Sequence, residues 1–298
     1  KVKEYHIEIT TYREEIKYKN RKPIEFNYIN NLVKDLERRD FTINAICMNS
    51  KGEIIDLVGG IEDLSNLKVK MIGDVTTKLK EDPLRILRAI RIASHLNFNL
   101  EPTLYKAIEE NKDLVLVLSN VRIKEELDKL LLSNNVKKGL NLLNDLGIIN
   151  LLNISGWQDI VPVKNLEGMY AQIKMSYDIP FTKEEKNNIT SIRRIINAGE
   201  LDKFTIYNYG LYLSLVAGEI LNIDKKTINK IYKSLPIHDK KDINIKADKI
   251  INIIGIEHAK KTSIILKDIE NLIINGKIRN KTGDIEKYIK EHKSEWII

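Results

Sequence analysis

The sequence predicts an α+β protein: a small α/β piece at the N-terminal end, followed by a long all-α arm. Three observations carry this. Apolar and polar residues alternate at 5–12 and 41–48, the period of a half-buried strand. From residue 61 onward apolar residues recur at i, i+3 and i+4, the period of an amphipathic helix. At 298 residues the chain is long enough for two or three modest domains, each with a buried core.

Composition narrows the class. With 43% hydrophobic and 31% charged residues the chain is expected to be soluble and globular, which excludes a disordered or fibrous protein. A single cysteine, Cys47, excludes a disulfide framework and a Cys-based zinc site, and suits a reducing, cytoplasmic setting. No apolar run approaches the roughly 18–20 residues that span a bilayer, so no membrane partner is expected. The 49 Lys and Arg outnumber 42 Asp and Glu, and the net charge of +7 favours a polyanion such as nucleic acid.

In chain order, His6, Glu8, Thr10 and Tyr12 alternate with Ile7, Ile9 and Thr11, a β-branched pattern that predicts a strand over 5–12. Residue 1 is Lys, and this strand has no partner N-terminal to it, so we expect a longer protein with a further N-terminal sheet segment. A charged loop follows at 13–24. Asn30-Asn31 then caps a helix whose apolar face is Leu32, Val33 and Leu36. Alternation over 41–48, a turn at Lys51-Gly52 and the segment 53–57 predict a hairpin ended by Gly59-Gly60. Helices are predicted at 61–67, 84–96, 103–111, 122–132, 136–146, 183–198, 209–221 and 225–232, with three or so more over 243–298.

Two stretches carry chemistry. In Arg38-Arg39-Asp40-Phe41-Thr42-Ile43-Asn44-Ala45, guanidinium forks match phosphate oxygens bidentately. Asp40 can hold one arginine while the other engages a ligand, and Asn44 adds an amide that donates and accepts. The ordinary alternative is a solvated helix end with a structural Arg–Asp pair. In Glu81-Asp82-Pro83-Leu84-Arg85-Ile86-Leu87-Arg88-Ala89-Ile90-Arg91, Pro83 suits the first helical position with Asp82 as cap. Asp82, Arg85 and Arg88 are three apart and share one side of the helix. A carboxylate beside a guanidinium fork can read the base edge of cytosine or adenine, but not the keto edge of uracil or guanine. Here the ordinary alternative is a helix cap with an intrahelical ion pair.

Together these blocks resemble the class II tRNA nucleotidyltransferases, the CCA-adding enzymes, and the related bacterial poly(A) polymerases. The resemblance also runs through Glu8-Ile9-Thr10-Thr11-Tyr12-Arg13, Asp56-Leu57-Val58-Gly59-Gly60-Ile61-Glu62-Asp63-Leu64, Gly73-Asp74 and, more weakly, Ser119 to Leu127. It covers residues 5–130 in the family's order. It implies the C-terminal part of a nucleotidyltransferase β-sheet head at 1–58, a base-selecting helical neck at 59–132, a helical body at 133–238 and a tRNA-binding helical tail at 239–298. It further implies that Arg39, Asp40 and Asn44 hold the sugar and triphosphate with support from Arg38. Asp82 and Arg85 would select CTP and then ATP, with Arg88 and Arg91 completing the nucleotide-binding set. Arg13 would open a flexible loop that helps switch from C to A addition. Arg122 and Glu126 would brace the neck, and Glu8 would assist the catalytic carboxylates.

The family binds Mg2+ through an Asp-x-Asp motif, and no such motif precedes Glu8 in this sequence, so its metal ligands are expected to be absent from this chain. The expected partners are a tRNA acceptor end, CTP and ATP. The alternatives within the family are a poly(A) polymerase or an A-adding enzyme, and outside it a non-catalytic RNA-binding remnant.

Weaker signals point elsewhere. His6, His95, His238, His258 and His292 lack metal-ligand spacing, and His238-Asp239 is expected to be a surface pair. Cys47 is expected to be an inert core residue. Tyr207, Tyr209 and Tyr212, near Phe204, are expected to pack the core rather than stack on RNA. Basic pairs at Arg193-Arg194, Lys225-Lys226, Lys240-Lys241 and Lys260-Lys261 would jointly suit a basic arm along an RNA backbone.

Overall fold

The computed structural model describes residues 9–19, 22–255 and 259–297. The chain divides into two compact units, residues 1–182 and 183–298, each described by itself.

The N-terminal unit opens with β1 (Arg13–Lys19) and β2 (Lys22–Tyr28), an antiparallel hairpin that pairs Arg13 with Tyr28 and Lys19 with Lys22. This corrects the charged loop expected at 13–24. Ile16 and Tyr18, and then Ile24, Phe26 and Tyr28, occupy every second position, a strand pattern hidden by the intervening charges. The strand expected at 5–12 fares differently. Residues 5–8 lie outside the described residues, and 9–12 form no strand, although the Tyr12 carbonyl accepts from the Ile29 amide at 3.0 Å.

Helix α1 (Leu32–Glu37) starts as predicted, with the Asn31 side chain accepting from the Lys34 amide at 3.2 Å. The strand expected over 41–48 shrinks to β3 (Cys47–Met48), paired antiparallel with β4 (Ile54–Ile55). Residues Thr42–Asn44 instead form a turn of 3-10 helix. The reason is local: the Thr42 amide donates to the Lys70 carbonyl at 3.0 Å and its buried hydroxyl to Asp63 at 2.7 Å. Both bonds pull the chain out of an extended course.

Helix α2 (Gly60–Ser65) leads to β5 (Lys68–Val69), which pairs in parallel with β6 (Asn99–Leu100). Between them lie α3 (Val75–Glu81), capped by Asp74, and α4 (Leu84–Leu96). Helix α4 is the axis of this unit. Ile86, Leu87, Ala89, Ile90 and Ala93 are buried, at the spacing that marked it in the sequence. It packs against α6 (Asn120–Leu131) and α7 (Val136–Asp145), while α5 (Pro102–Asn111) packs against α3. Between α4 and α7, buried Ser94 meets the Ser133 hydroxyl at 2.8 Å and donates to the Asn135 carbonyl at 2.9 Å. The short elements α8 (Ile148–Leu151), β7 (Ile154–Ser155), α9 (Leu166–Gln172) and β8 (Lys174–Met175) complete the unit, with β7 and β8 antiparallel.

The C-terminal unit is helical: α10 (Lys183–Ala198), α11 (Lys203–Ile220), α12 (Lys225–Ser234), α13 (Ala247–Ile254), α14 (Ala259–Ile274), α15 (Thr282–Glu291) and α16 (Lys293–Ile297). Helix α11 begins six residues before the predicted start at 209, because Asp202 caps it, and it breaks at Gly210 (φ 75°, ψ 170°), a conformation open only to glycine. That break hid the first half from a helical period. Tyr207 is buried as expected, and its hydroxyl donates to buried Glu270; Tyr212 is instead exposed. No helix among the described residues is long and apolar enough to cross a membrane.

Candidate nucleotide site

The site is built where the end of α1, the 3-10 turn and the start of α4 meet. Asp40 is its hinge. One carboxylate oxygen accepts from the Phe41 amide at 2.8 Å and from the Asn44 side-chain amide at 3.1 Å. The other accepts from Arg88 on α4, from Nε at 2.8 Å and from Nη2. Residues 48 apart in sequence are thus joined by a two-pronged, charge-assisted contact. Burial opposes the charge on Arg88, but the Asp40 carboxylate beside it outweighs that and raises its pKa above the ordinary value.

Arg39 lies across the same turn. Its Nη1 donates to the Asn44 carbonyl at 3.0 Å and its Nη2 approaches Asp35 at 3.5 Å, while more than a third of the side chain stays exposed. Arg38 is held by Asp35 as well, through Nε at 2.9 Å and Nη2 at 2.7 Å. This corrects the partner assigned from sequence: Asp40 holds Arg88, and neither Arg38 nor Arg39. Asp35 is the residue that sequence reasoning missed. It is 1% exposed, and it also accepts from the Arg13 amide at the root of the hairpin, at 3.2 Å. Burial pushes its carboxyl up, but the hydrogen bonds from Arg38 and from the Arg13 backbone, with the charges of Arg38 and Arg39, bring it below the usual carboxylate value. Its spacing of three and four from the two arginines was the available signal.

Helix α4 brings the second set. Helix α4 starts at Leu84 with Pro83 as its N-cap, which corrects the cap expected at Asp82: Asp82 ends α3, and its carboxylate accepts from the Leu84 amide at 3.2 Å. Arg85 is buried, 6% exposed, and its Nη1 donates to the Lys78 carbonyl at 2.7 Å and to Glu81 at 3.3 Å. Arg91, six residues further on, pairs with Glu126 of α6. Glu126 is 4% exposed and so ties α4 to α6, whereas Arg122 sits at the surface beside Glu125 at 3.8 Å.

The glycine pair shapes the floor. A Cβ on Gly60 would come within 2.3 Å of the Thr42 carbonyl oxygen, so only glycine lets α2 approach the turn. Asp56 accepts from the Val58, Gly60 and Ile61 amides at 3.2, 2.9 and 2.8 Å and fixes that approach. Cys47 is half-buried against the cluster of Leu36, Ala45 and Ile72, so it edges the core rather than lying within it.

Glu8 lies outside the described residues. Among the described residues no three His, Cys, Asp or Glu side chains converge to hold a metal ion. His238 and Asp239 are exposed as expected, with Asp239 capping a short turn.

Comparison with known proteins fits this geometry. Residues 1–70 match the family described as "Poly A polymerase head domain", residues 97–153 "Probable RNA and SrmB- binding site of polymerase A", and residues 168–289 domain 2 of tRNA nucleotidyltransferases. The chain is 31% identical over 319 residues to the CCA-adding enzyme of Streptococcus sanguinis (strain SK36), covering 96% of this chain and 79% of that one. Its fold is like that of the Bacillus stearothermophilus CCA-adding enzyme in complex with CTP (TM-score 0.82, 22% identity, 96% of this chain and 78% of that one). It also resembles the Thermotoga maritima CCA-adding enzyme complexed with tRNA (TM-score 0.61, 21% identity, 87% and 74%). The arginine-rich turn, the helix it grips and a relative matched along nearly the whole chain lead to one family: this chain belongs to the CCA-adding enzymes, the class II tRNA nucleotidyltransferases.

Proposed function

We propose that this chain adds or repairs the CCA end of tRNA from CTP and ATP, with no nucleic acid template. The observation that supports this most is the contact of Asp40 with Arg88. It couples the turn suited to a triphosphate with the helix suited to a base edge, so both ends of one nucleotide are addressed by one rigid body. Arg39, steadied by the Asn44 carbonyl, turns its exposed fork toward the phosphates, and Asp40 with Asn44 positions the sugar. Asp82 and Arg85 read the base. Arg85 is already immobilised by Lys78 and Glu81, so little side-chain freedom is lost on binding. Arg91 keeps the helix in place through Glu126.

In the reaction, the RNA 3′ hydroxyl oxygen attacks the α-phosphorus in line. A new P–O bond forms, the bond to the β-phosphate bridging oxygen breaks, and pyrophosphate leaves as the hydroxyl proton is released. The family's chemistry uses a metal. The described residues do not assemble a site for one. The remaining roles follow the same proposal: Arg13 and the hairpin it opens would adjust the site between C and A addition. A cytoplasmic setting belongs to it too, consistent with one half-buried cysteine.

The test is equilibrium binding of the four ribonucleoside triphosphates. CTP and ATP should bind more tightly than UTP and GTP, and Asp82→Ala or Arg85→Ala should level that preference. A preference unchanged by both substitutions would refute the base-reading assignment.

A further inference from the structure

The C-terminal unit contains a cavity of about 500 Å³ that the nucleotide site does not use. That volume is within the range of pockets that take small ligands. Its floor is apolar: Leu235, Ile273 and Ile274 are all buried. Its wall carries two cations, Lys203 at the start of α11 and Arg279 beyond α14, together with Asn275. None of the residues lining it is a carboxylate, in a chain where acids and bases are nearly balanced. The rim is fixed. Asn280 donates to the Asp242 carbonyl at 2.7 Å and accepts from the Asn244 amide at 2.8 Å, so its amide is spent on scaffolding. The Ser234 hydroxyl donates inward to the Ile231 carbonyl at 2.7 Å and presents its oxygen as an acceptor.

We propose that this cavity is a second phosphate-recognising site that takes one ribonucleotide, its phosphate on Lys203 and Arg279 and its base or sugar against the apolar floor. Two cations without a carboxylate recognise the anion, and the apolar floor with neighbouring acceptors suits the rest of a nucleotide. A regular duplex offers its phosphates on a convex surface. A concave site fits instead a free nucleotide or an unpaired nucleotide of an RNA, and the phosphate chemistry is common to both.

The test uses the full chain carrying Arg39→Ala, which silences the other nucleotide site, titrated calorimetrically with AMP and separately with a single-stranded adenosine hexamer. At least one should bind, and Lys203→Ala with Arg279→Ala should weaken it about tenfold or more. Asn275→Trp, which fills the cavity without changing charge, should block it. AMP binding identifies a free nucleotide as the source, and binding of the hexamer alone identifies RNA. Affinities for both probes unmoved by the double variant and by Asn275→Trp would overturn the proposal. Binding of CTP by the chain with Arg39 intact should be unaffected by the cavity variants, which keeps this test apart from that of the nucleotide site.

Discussion

At the scale of single residues, Asp35 is the buried carboxylate on which both arginines of the turn converge. It is buried, it holds two guanidinium groups, and it accepts from the backbone where the hairpin begins. Its pKa is depressed in the folded state, so its contribution is fully present above the unfolded value of about 3.9 and is lost as pH falls through the folded value. Asp35→Asn should therefore cost about 2 kcal/mol near neutral pH, the scale for leaving a charged hydrogen bond unmade. It should also flatten the acid limb of the stability curve below about pH 4. Denaturant unfolding of both proteins between pH 3 and 7 checks this; parallel acid limbs would remove the role given to Asp35. The arginines and Asp40 were legible in the sequence because their density is unusual. Asp35 left only its spacing from Arg38 and Arg39 as a signal, and a single acid in a charged helix looks like any solvated residue until burial is known. The partner of Asp40 was hidden for another reason: Arg88 is far away in sequence and only the tertiary fold brings it near.

At the scale of elements, local period decided what could be foreseen. Helix α4 has one strongly apolar face, and its predicted limits are those observed. The hairpin of β1 and β2 was obscured by charge, and the turn at 42–44 by side-chain and backbone bonds to Asp63 and Lys70, which no local pattern reveals. Helix α2 depends on one close approach. Gly60→Ala would push a methyl group into the Thr42 carbonyl and crowd Ile46. Overpacking of this kind costs about 1–3 kcal/mol. Because Thr42 lies between Asp40 and Asn44, the same substitution should weaken CTP binding as well as lower the melting temperature. A variant that loses stability but keeps CTP affinity would show that α2 supports the fold without setting the turn.

At the scale of the whole molecule, the excess of positive charge is the property that an RNA backbone would meet. The net charge is +7, and Lys225, Lys226, Lys240 and Lys241 are exposed on the C-terminal unit. Each cation that neutralises an RNA phosphate releases counterions, so affinity falls with salt by a slope that counts the contacts. Replacing Lys225 and Lys226, or Lys240 and Lys241, by Gln should weaken tRNA binding and reduce the slope by about one per cation that truly meets a phosphate. The affinity for CTP should stay the same, because the proposed nucleotide site lies in the other unit, around the end of α1, the 3-10 turn, α2 and the start of α4. The measurement is tRNA affinity across a series of salt concentrations for each variant. A slope that does not change would show these lysines to be a solvated face only. A change for one pair and not the other would trace the path of the RNA along the helices, since the pairs lie on different segments and their contacts count separately.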